Sequence, residues 1–254
     1  MKIERKEIIE NYNISKESDG SIFLNWIGIL VGLILCFFFF LLLLGNIVVN
    51  MVSLENEKKL FLDYKINFTI DDEKTKDLKN FLGNDFKYEI FVVKDSGENA
   101  YTLPGGTIII NDGLLSKIKY ENSLLFIIGH EVGHIENRDV LKAIVGKYPF
   151  RIIFSLIGIG GDIDLSSILY GTEGIYSKKI ESNADIYGIQ FLNTLKGDVS
   201  CALYFFEKDN LILDNVVTFL SDHPMTNTRI SKIKDIIKIE GYKDDLDCKL
   251  LNLK

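Results

Sequence analysis

The pentapeptide His130-Glu131-Val132-Gly133-His134 is an H-E-x-x-H, and it restricts the local conformation more than any other feature of the chain. Two imidazoles four positions apart reach a common point when the segment is helical, because i and i+4 share one face. Glu131 then lies one step round the same helix, beside that point rather than at it. The 254 residues hold three histidines. The third, His223, stands far downstream in Ser221-Asp222-His223-Pro224. Residues 121–145 read as one helix, with apolar positions at Leu124, Leu125, Ile128, Val132 and Ile135. Gly129 and Gly133 interrupt it, each at a cost of about 1 kcal/mol relative to alanine in a helix interior. Two readings of these glycines stand: a close approach to the backbone at a metal site, or ordinary helix packing.

A pair of histidines with a glutamate between them suits a zinc ion that activates water. A tetrahedral catalytic zinc takes three protein ligands and leaves one position for the water. The third ligand is expected from a second helix, and Glu181 in Lys179-Ile180-Glu181-Ser182-Asn183-Ala184-Asp185 is the best candidate. Residues 176–195 carry a stripe of Ile180, Ala184, Tyr187 and Phe191 at helical spacing. Glu181 and Asp185 share a face beside that stripe. A carboxylate pair on a helix is ordinarily solvated surface. Next to a half-buried stripe, the cost of leaving it unpartnered rises.

These blocks, with two others, resemble the membrane-associated zinc metallopeptidases of peptidase family forty-eight of the metallo class, which include HtpX, the CAAX prenyl protease and the Oma-type and BepA-type proteases. The resemblance runs over residues 53–237. The other two blocks are Asn99-Ala100-Tyr101-Thr102-Leu103-Pro104-Gly105-Gly106, leading into Thr107-Ile108-Ile109-Ile110-Asn111, and His223-Pro224 followed by Arg229-Ile230. The resemblance implies that His130, His134 and Glu181 hold one zinc per chain and that Glu131 is the general base. It further implies that Asp185 supports the ligands from behind, that His223 and Arg229 complete the site, and that Asn99 and Ala100 belong to a substrate-facing strand. Lys178 stands where the family commonly has arginine, which touches only a supporting contact near Glu181. On this reading His223 donates to the oxyanion of a peptide under attack, or else closes over the zinc as a reversible fourth ligand that restrains activity; read without the family it is a helix-capping loop residue before Pro224. Arg229 either pairs with Asp185 or is a solvated charge on the last helix.

The remaining sequence limits the alternatives. A net charge of -7, with no basic run interleaved with aromatics, argues against a nucleic-acid partner. Residues 22–49 are almost wholly apolar, longer than the roughly 20 residues a spanning helix needs. The start is not strongly basic and no small-residue cleavage site follows, so an uncleaved single-pass anchor is expected rather than a signal peptide. Lys2, Arg5, Lys6 and Lys16 before it are nearly balanced by Lys58, Lys59 and Lys65 after it, leaving the orientation open. A second apolar stretch, 152–161, is too short to span and reads as a core helix. Cys36 lies in the apolar run. Cys201 and Cys248 lack metal-ligand spacing and are expected as free buried thiols, a bond between them requiring an oxidising compartment.

Helices are expected at 54–64 and 74–82, and strands at 88–94, 101–103 and 107–110, the last two turned by Pro104-Gly105-Gly106. The chain therefore reads as a polar segment (1–21), a transmembrane anchor (22–50) and a metallopeptidase domain (53–254). The domain is expected to be α+β, a mostly helical zincin-like fold with a small antiparallel sheet. The expected function is a membrane-anchored zinc endopeptidase acting on unfolded or membrane-associated proteins. Two further classes stay open: an inactive membrane-tethered binding or chaperone-like relative, and a zinc hydrolase whose substrate is not a protein.

Overall fold

Backbone amides in an apolar run find partners most simply within the run, and a helix supplies them. In the computed structural model, which describes residues 19–61, 68–147, 176–209, 223, 225–245 and 248–253, helix α1 accordingly runs Asp19–Met51, 33 residues. Its stretch Gly20–Phe40 has a mean hydropathy of 2.5 and is long and apolar enough to cross a membrane. Phe23, Leu24 and Trp26 are among its many exposed apolar side chains. The chain divides into two units, 1–44 and 45–254, and the last turns of α1 belong to the second.

In the second unit, α2 (Leu54–Phe61) and α3 (Asp72–Leu82) precede the sheet. The expected helix 54–64 is present as far as Phe61, residues 62–64 lying outside those described, as does the stretch 152–161. α3 starts where the Asp71 side chain accepts from the Lys74 amide at 3.1 Å, satisfying an N-terminal donor.

Strands β1 (Glu89–Val93), β2 (Ala100–Leu103) and β3 (Thr107–Asn111) form one sheet in the order β1-β3-β2. β2 and β3 pair antiparallel, Ala100 with Ile110 and Leu103 with Thr107. Gly105 and Gly106 turn the chain between them at φ +85° and +84°, a region that glycine enters without steric cost. β1 instead pairs parallel with β3, Glu89 with Thr107 through Val93 with Asn111, so the sheet is mixed rather than wholly antiparallel as expected. The reason lies in β3. Ile108, Ile109 and Ile110 are all buried, which is the composition of a central strand covered on both faces. β1 therefore takes the far side of β3, and the loop 94–99 crosses to the opposite edge. That loop is fixed by Asn111 N–H donating to Asn99 O at 2.9 Å and Gly113 N–H to Asp95 O at 2.9 Å.

After the short α4 (Asp112–Lys117) comes α5 (Glu121–Glu136), buried at nearly every position from Ser123 to Ile135. It is the central helix, packed against the sheet and against α7 (Lys178–Lys196). The continuous helix expected over 121–145 is in fact two, α5 and α6 (Asp139–Lys147). Arg138 breaks it by entering the left-handed region at φ +57°. Its guanidinium holds the bend: Nη1 donates to Val52 O at 2.8 Å, and the side chain pairs with the buried Glu57 of α2. Glu57 in turn accepts from the Gly105 amide at 3.0 Å. α2, the β2–β3 turn and the α5–α6 junction are thus bonded together.

α7 begins at Ser177, whose side chain accepts from the Ile180 amide, and ends at Gly197 in the left-handed conformation. α8 (Tyr204–Asp209) and α9 (Asn227–Glu240) follow, α9 capped by Thr226 and Gly241 in the same manner. Cys201 and Cys248 form a disulfide with a Cα–Cα separation of 5.8 Å, correcting the expectation of free thiols. The two lie 47 residues apart and meet because both flank the start of α5. Ser123 Oγ donates to Cys201 O at 2.6 Å, while the Glu121 amide donates to Lys249 O at 3.0 Å. Sequence spacing carries no trace of that convergence.

Candidate metal centre

α5 and α7 cross at backbone contact, and small residues make this geometry attainable. A Cβ on Gly129 would lie 3.0 Å from Gly188 Cα, and one on Gly133 would lie 3.1 Å from Ala184 Cα. A Cβ on Gly188 would meet Phe126 O at 3.0 Å and His130 N at 3.1 Å. The two readings of the α5 glycines therefore merge. They serve helix packing, and that packing is what brings the first turn of α7, with Glu181, onto the H-E-x-x-H face.

Four ligand-type atoms, one each from His130, His134, Glu181 and His223, lie within 4.8 Å of one another, and all four residues are buried. His130 Nε2 and His134 Nε2 are 3.1 Å apart. Glu181 faces both, with Oε2 3.5 Å from His130 Nε2 and Oε1 3.6 Å from His134 Nε2. Each ring is held from behind by a carboxylate: His130 Nδ1 lies 3.0 Å from Asp185 Oδ1 and His134 Nδ1 lies 3.0 Å from Asp139 Oδ2. An ionised carboxylate only accepts, so both Nδ1 atoms donate and both Nε2 atoms turn inward.

Arg229, from α9, closes the rear of the cluster. Its Nε donates to Asp185 Oδ2 at 2.7 Å and its Nη2 to Asp185 Oδ1 at 2.6 Å, a two-point fork. Nη1 donates to His223 O at 3.1 Å and stands 2.9 Å from Glu181 Oε2. Arg229 is thus buried and paired with Asp185 rather than solvated on α9. His223 Nδ1 is 2.9 Å from Glu181 Oε1, and its Nε2 lies 3.8 Å from Glu131 Oε1. Tyr176 stacks on both the His134 ring, at 4.5 Å between centroids, and the His223 ring, at 5.3 Å.

The electrostatics suit a cation. Burial disfavours charge on His130, but hydrogen bonds to Asp185 and Glu181 outweigh it and push the imidazole up to about 9. Burial, with His130 and His223 nearby, drives His134 well below its ordinary value. Glu181 is held well below the usual carboxylate range because hydrogen bonds from His130 and His223 overcome its burial. Asp185 is likewise lowered, burial being outweighed by Arg229 and His130. Burial pushes Asp139 up to about 6. Burial also raises Glu131, against the opposing pull of His223 and His130. Glu131, Asp139, Glu181 and Asp185 surround the cluster, and the Arg229 guanidinium pairs with the last two. Inward-facing imidazole nitrogens and a carboxylate gathered in this buried, acidic setting are a donor set for a divalent ion, so the residues present fit a catalytic metal.

Glu131 is fully buried beside the cluster. Its Oε2 is 2.9 Å from Thr102 Oγ1, and its Oε1 has no hydrogen-bond partner among the described residues. Ala100 and Asn99 stand at the start of β2. The Ala100 side chain is buried, and Asn99 O is engaged by the Asn111 amide. Both belong to the segment that leads into the strand carrying Thr102. Asp139, Thr102 and Tyr176 were missed by sequence reasoning. Asp139 was hidden because a continuous helix would have carried it away from His134. Thr102 lay within the recognised Asn99–Gly106 block without a chemical signal of its own.

A buried H-E-x-x-H helix joined by a glutamate from a second helix, on an α+β frame, defines a metallopeptidase domain. The chain belongs to Peptidase family M48, whose pattern matches residues 73–237. Mitochondrial metalloendopeptidase OMA1 of Schizosaccharomyces pombe is 26% identical over 173 residues, covering 65% of this chain and 51% of that protein. Its namesake in Arabidopsis thaliana is 31% identical over 145 residues, 56% of this chain and 30% of that one. The beta-barrel assembly-enhancing protease of Escherichia coli is 23% identical over 168 residues, 58% and 34%. The chain thus spans about half, or less, of the length of these relatives.

Proposed function

We propose that this chain is a membrane-anchored zinc endopeptidase that hydrolyses peptide bonds in unfolded or membrane-associated proteins. The observation that carries the reading is the buried convergence of His130, His134 and Glu181 next to a carboxylate oxygen, Glu131 Oε1, with no hydrogen-bond partner among the described residues. His130, His134 and Glu181 hold the zinc, and Asp185, Asp139 and Arg229 keep those ligands aimed. The zinc, when bound, supplies Lewis-acid polarisation of a water and of the scissile carbonyl. Glu131 accepts the water's proton at Oε1 and delivers it to the leaving amine, a transfer favoured by a carboxyl raised from its ordinary range through burial. His223 donates from Nε2 to the oxygen that becomes negative during attack. β2 is an edge strand of the sheet among the described residues. At this outer edge, in the stretch that begins with Asn99 and Ala100, an extended peptide is taken up by main-chain hydrogen bonds. α1 holds the catalytic unit at the membrane.

The test uses the full chain in detergent with casein as an unfolded substrate. Cleavage is expected, abolished by a zinc chelator and restored by added zinc. Glu131→Gln is expected to keep zinc but lose at least a hundredfold in rate, since the amide does not accept the proton (general-base catalysis contributes on the order of 10²–10⁴). Wild-type turnover by Glu131→Gln overturns the assignment of the base. Cleavage unaffected by chelation overturns the metal mechanism.

A further inference from the structure

Thr102 lies within β2, its side chain buried at 6% exposure and its backbone in register with Ile108 of β3. Strand alternation turns Thr102 and Ala100 to the same, buried face. Thr102 Oγ1 stands 2.9 Å from Glu131 Oε2 and 3.2 Å from the Glu131 backbone oxygen. A hydroxyl has one proton to donate. The backbone oxygen lies inside α5, where the helix ladder serves it, so the buried carboxylate is the acceptor in greater need. The two carboxylate oxygens are consequently unequal: Oε2 is held by the strand, and Oε1, 3.8 Å from His223 Nε2, has no hydrogen-bond partner among the described residues.

We infer that Thr102 is the positioning residue for Glu131: its hydroxyl fixes Oε2 and so presents Oε1 as the proton acceptor. The inference rests on the reading of Glu131 as general base. A proton taken from water goes to Oε1, and Thr102 remains the donor to Oε2 before and after that transfer. It follows that the strand proposed to bind the substrate also aims the base. Threonine meets both demands of the position. Its β-branch suits a strand, and its hydroxyl satisfies a carboxylate that valine, of nearly the same shape, would leave unpaired.

The experiment compares Thr102→Val and Thr102→Ser with wild type, as full chains in detergent. Loss of the hydroxyl in Thr102→Val is expected to lower kcat by roughly tenfold to a hundredfold, the scale of a misplaced catalytic group, with KM within about twofold. Thr102→Ser, which keeps the donor, is expected to recover most of the rate. Zinc content should match wild type in both, because Thr102 touches no candidate ligand. In a crystal structure of metal-free Thr102→Val, the Glu131 carboxylate is expected to leave its wild-type orientation. In a Glu131→Gln background, Thr102→Val should cost nothing further. The proposal is overturned by wild-type kcat in Thr102→Val, by Thr102→Ser being as slow as Thr102→Val, or by an unmoved Glu131. Loss of zinc or a collapsed melting temperature in Thr102→Val would also overturn it, by showing a structural role. A fully active Glu131→Gln fails separately: it removes the base itself, and the positioning role with it.

Discussion

Arg229 shows how one side chain can hold a site it does not ligate. Its fork on Asp185 fixes the carboxylate that orients His130, while Nη1 reaches His223 O and stands beside Glu181. Asp185 and Arg229 are both buried, so removing one strips the other of its two-point ion pair in a desolvated setting. Arg229→Ala is therefore expected to destabilise the fold by about 3–5 kcal/mol, measured by denaturant melting, and to lower zinc content. Arg229→Lys keeps the charge but not the fork and should fall between the two. A variant melting with wild type would show the pair to be unimportant. The individual roles differed in legibility. His130 and His134 are readable from spacing, because i and i+4 on a helix face one way whatever surrounds them. The Arg229–Asp185 pair spans 44 positions and stood open on the residues alone. Asp139 was invisible because its partnership depends on the left-handed turn at Arg138, and an arginine carries no local preference for one.

At the scale of elements, the site exists because α5 and α7 touch. Gly129→Ala gains about 1 kcal/mol in helix propensity but places a methyl 2.8 Å from Phe191 Cδ1 and 3.0 Å from Gly188 Cα. Overpacking of this kind costs about 1–3 kcal/mol and forces the helices apart, and the backbone of Gly188 has little room to retreat. The variant is expected to melt lower and bind zinc more weakly, since Glu181 rides on α7. Gly146→Ala in α6 is the control. Nothing among the described residues lies within 4 Å of its added Cβ, so it should be neutral or slightly stabilising. Equal effects from both substitutions would refute the close-packing account. Helix ends were readable where caps mark them, at Ser177 and Gly197 for α7. The parallel pairing of β1 was not, since strand order depends on which strand is covered on both faces, and that coverage comes from helices distant in the chain.

At the scale of the whole molecule, the second unit is tied at its far end by the Cys201–Cys248 disulfide, which closes a loop of 47 positions. A cross-link over that span stabilises by about 2–4 kcal/mol, chiefly by restricting the unfolded chain. Reduction, or Cys248→Ser, is thus expected to lower the melting temperature by roughly 5–15 °C for a domain of this size. An unchanged melt under reduction would mean the bond contributes nothing to the fold. The three cysteines looked scattered in sequence, because the contact between residues 201 and 248 is made by the fold around the start of α5.

In the proposed site Glu181, supplied by a second helix, completes a zinc centre begun by His130 and His134. Metal analysis of the purified full chain, wild type against Glu181→Ala, tests this arrangement. About one zinc per wild-type chain is expected, with its loss in Glu181→Ala. A variant that keeps its full zinc would contradict it.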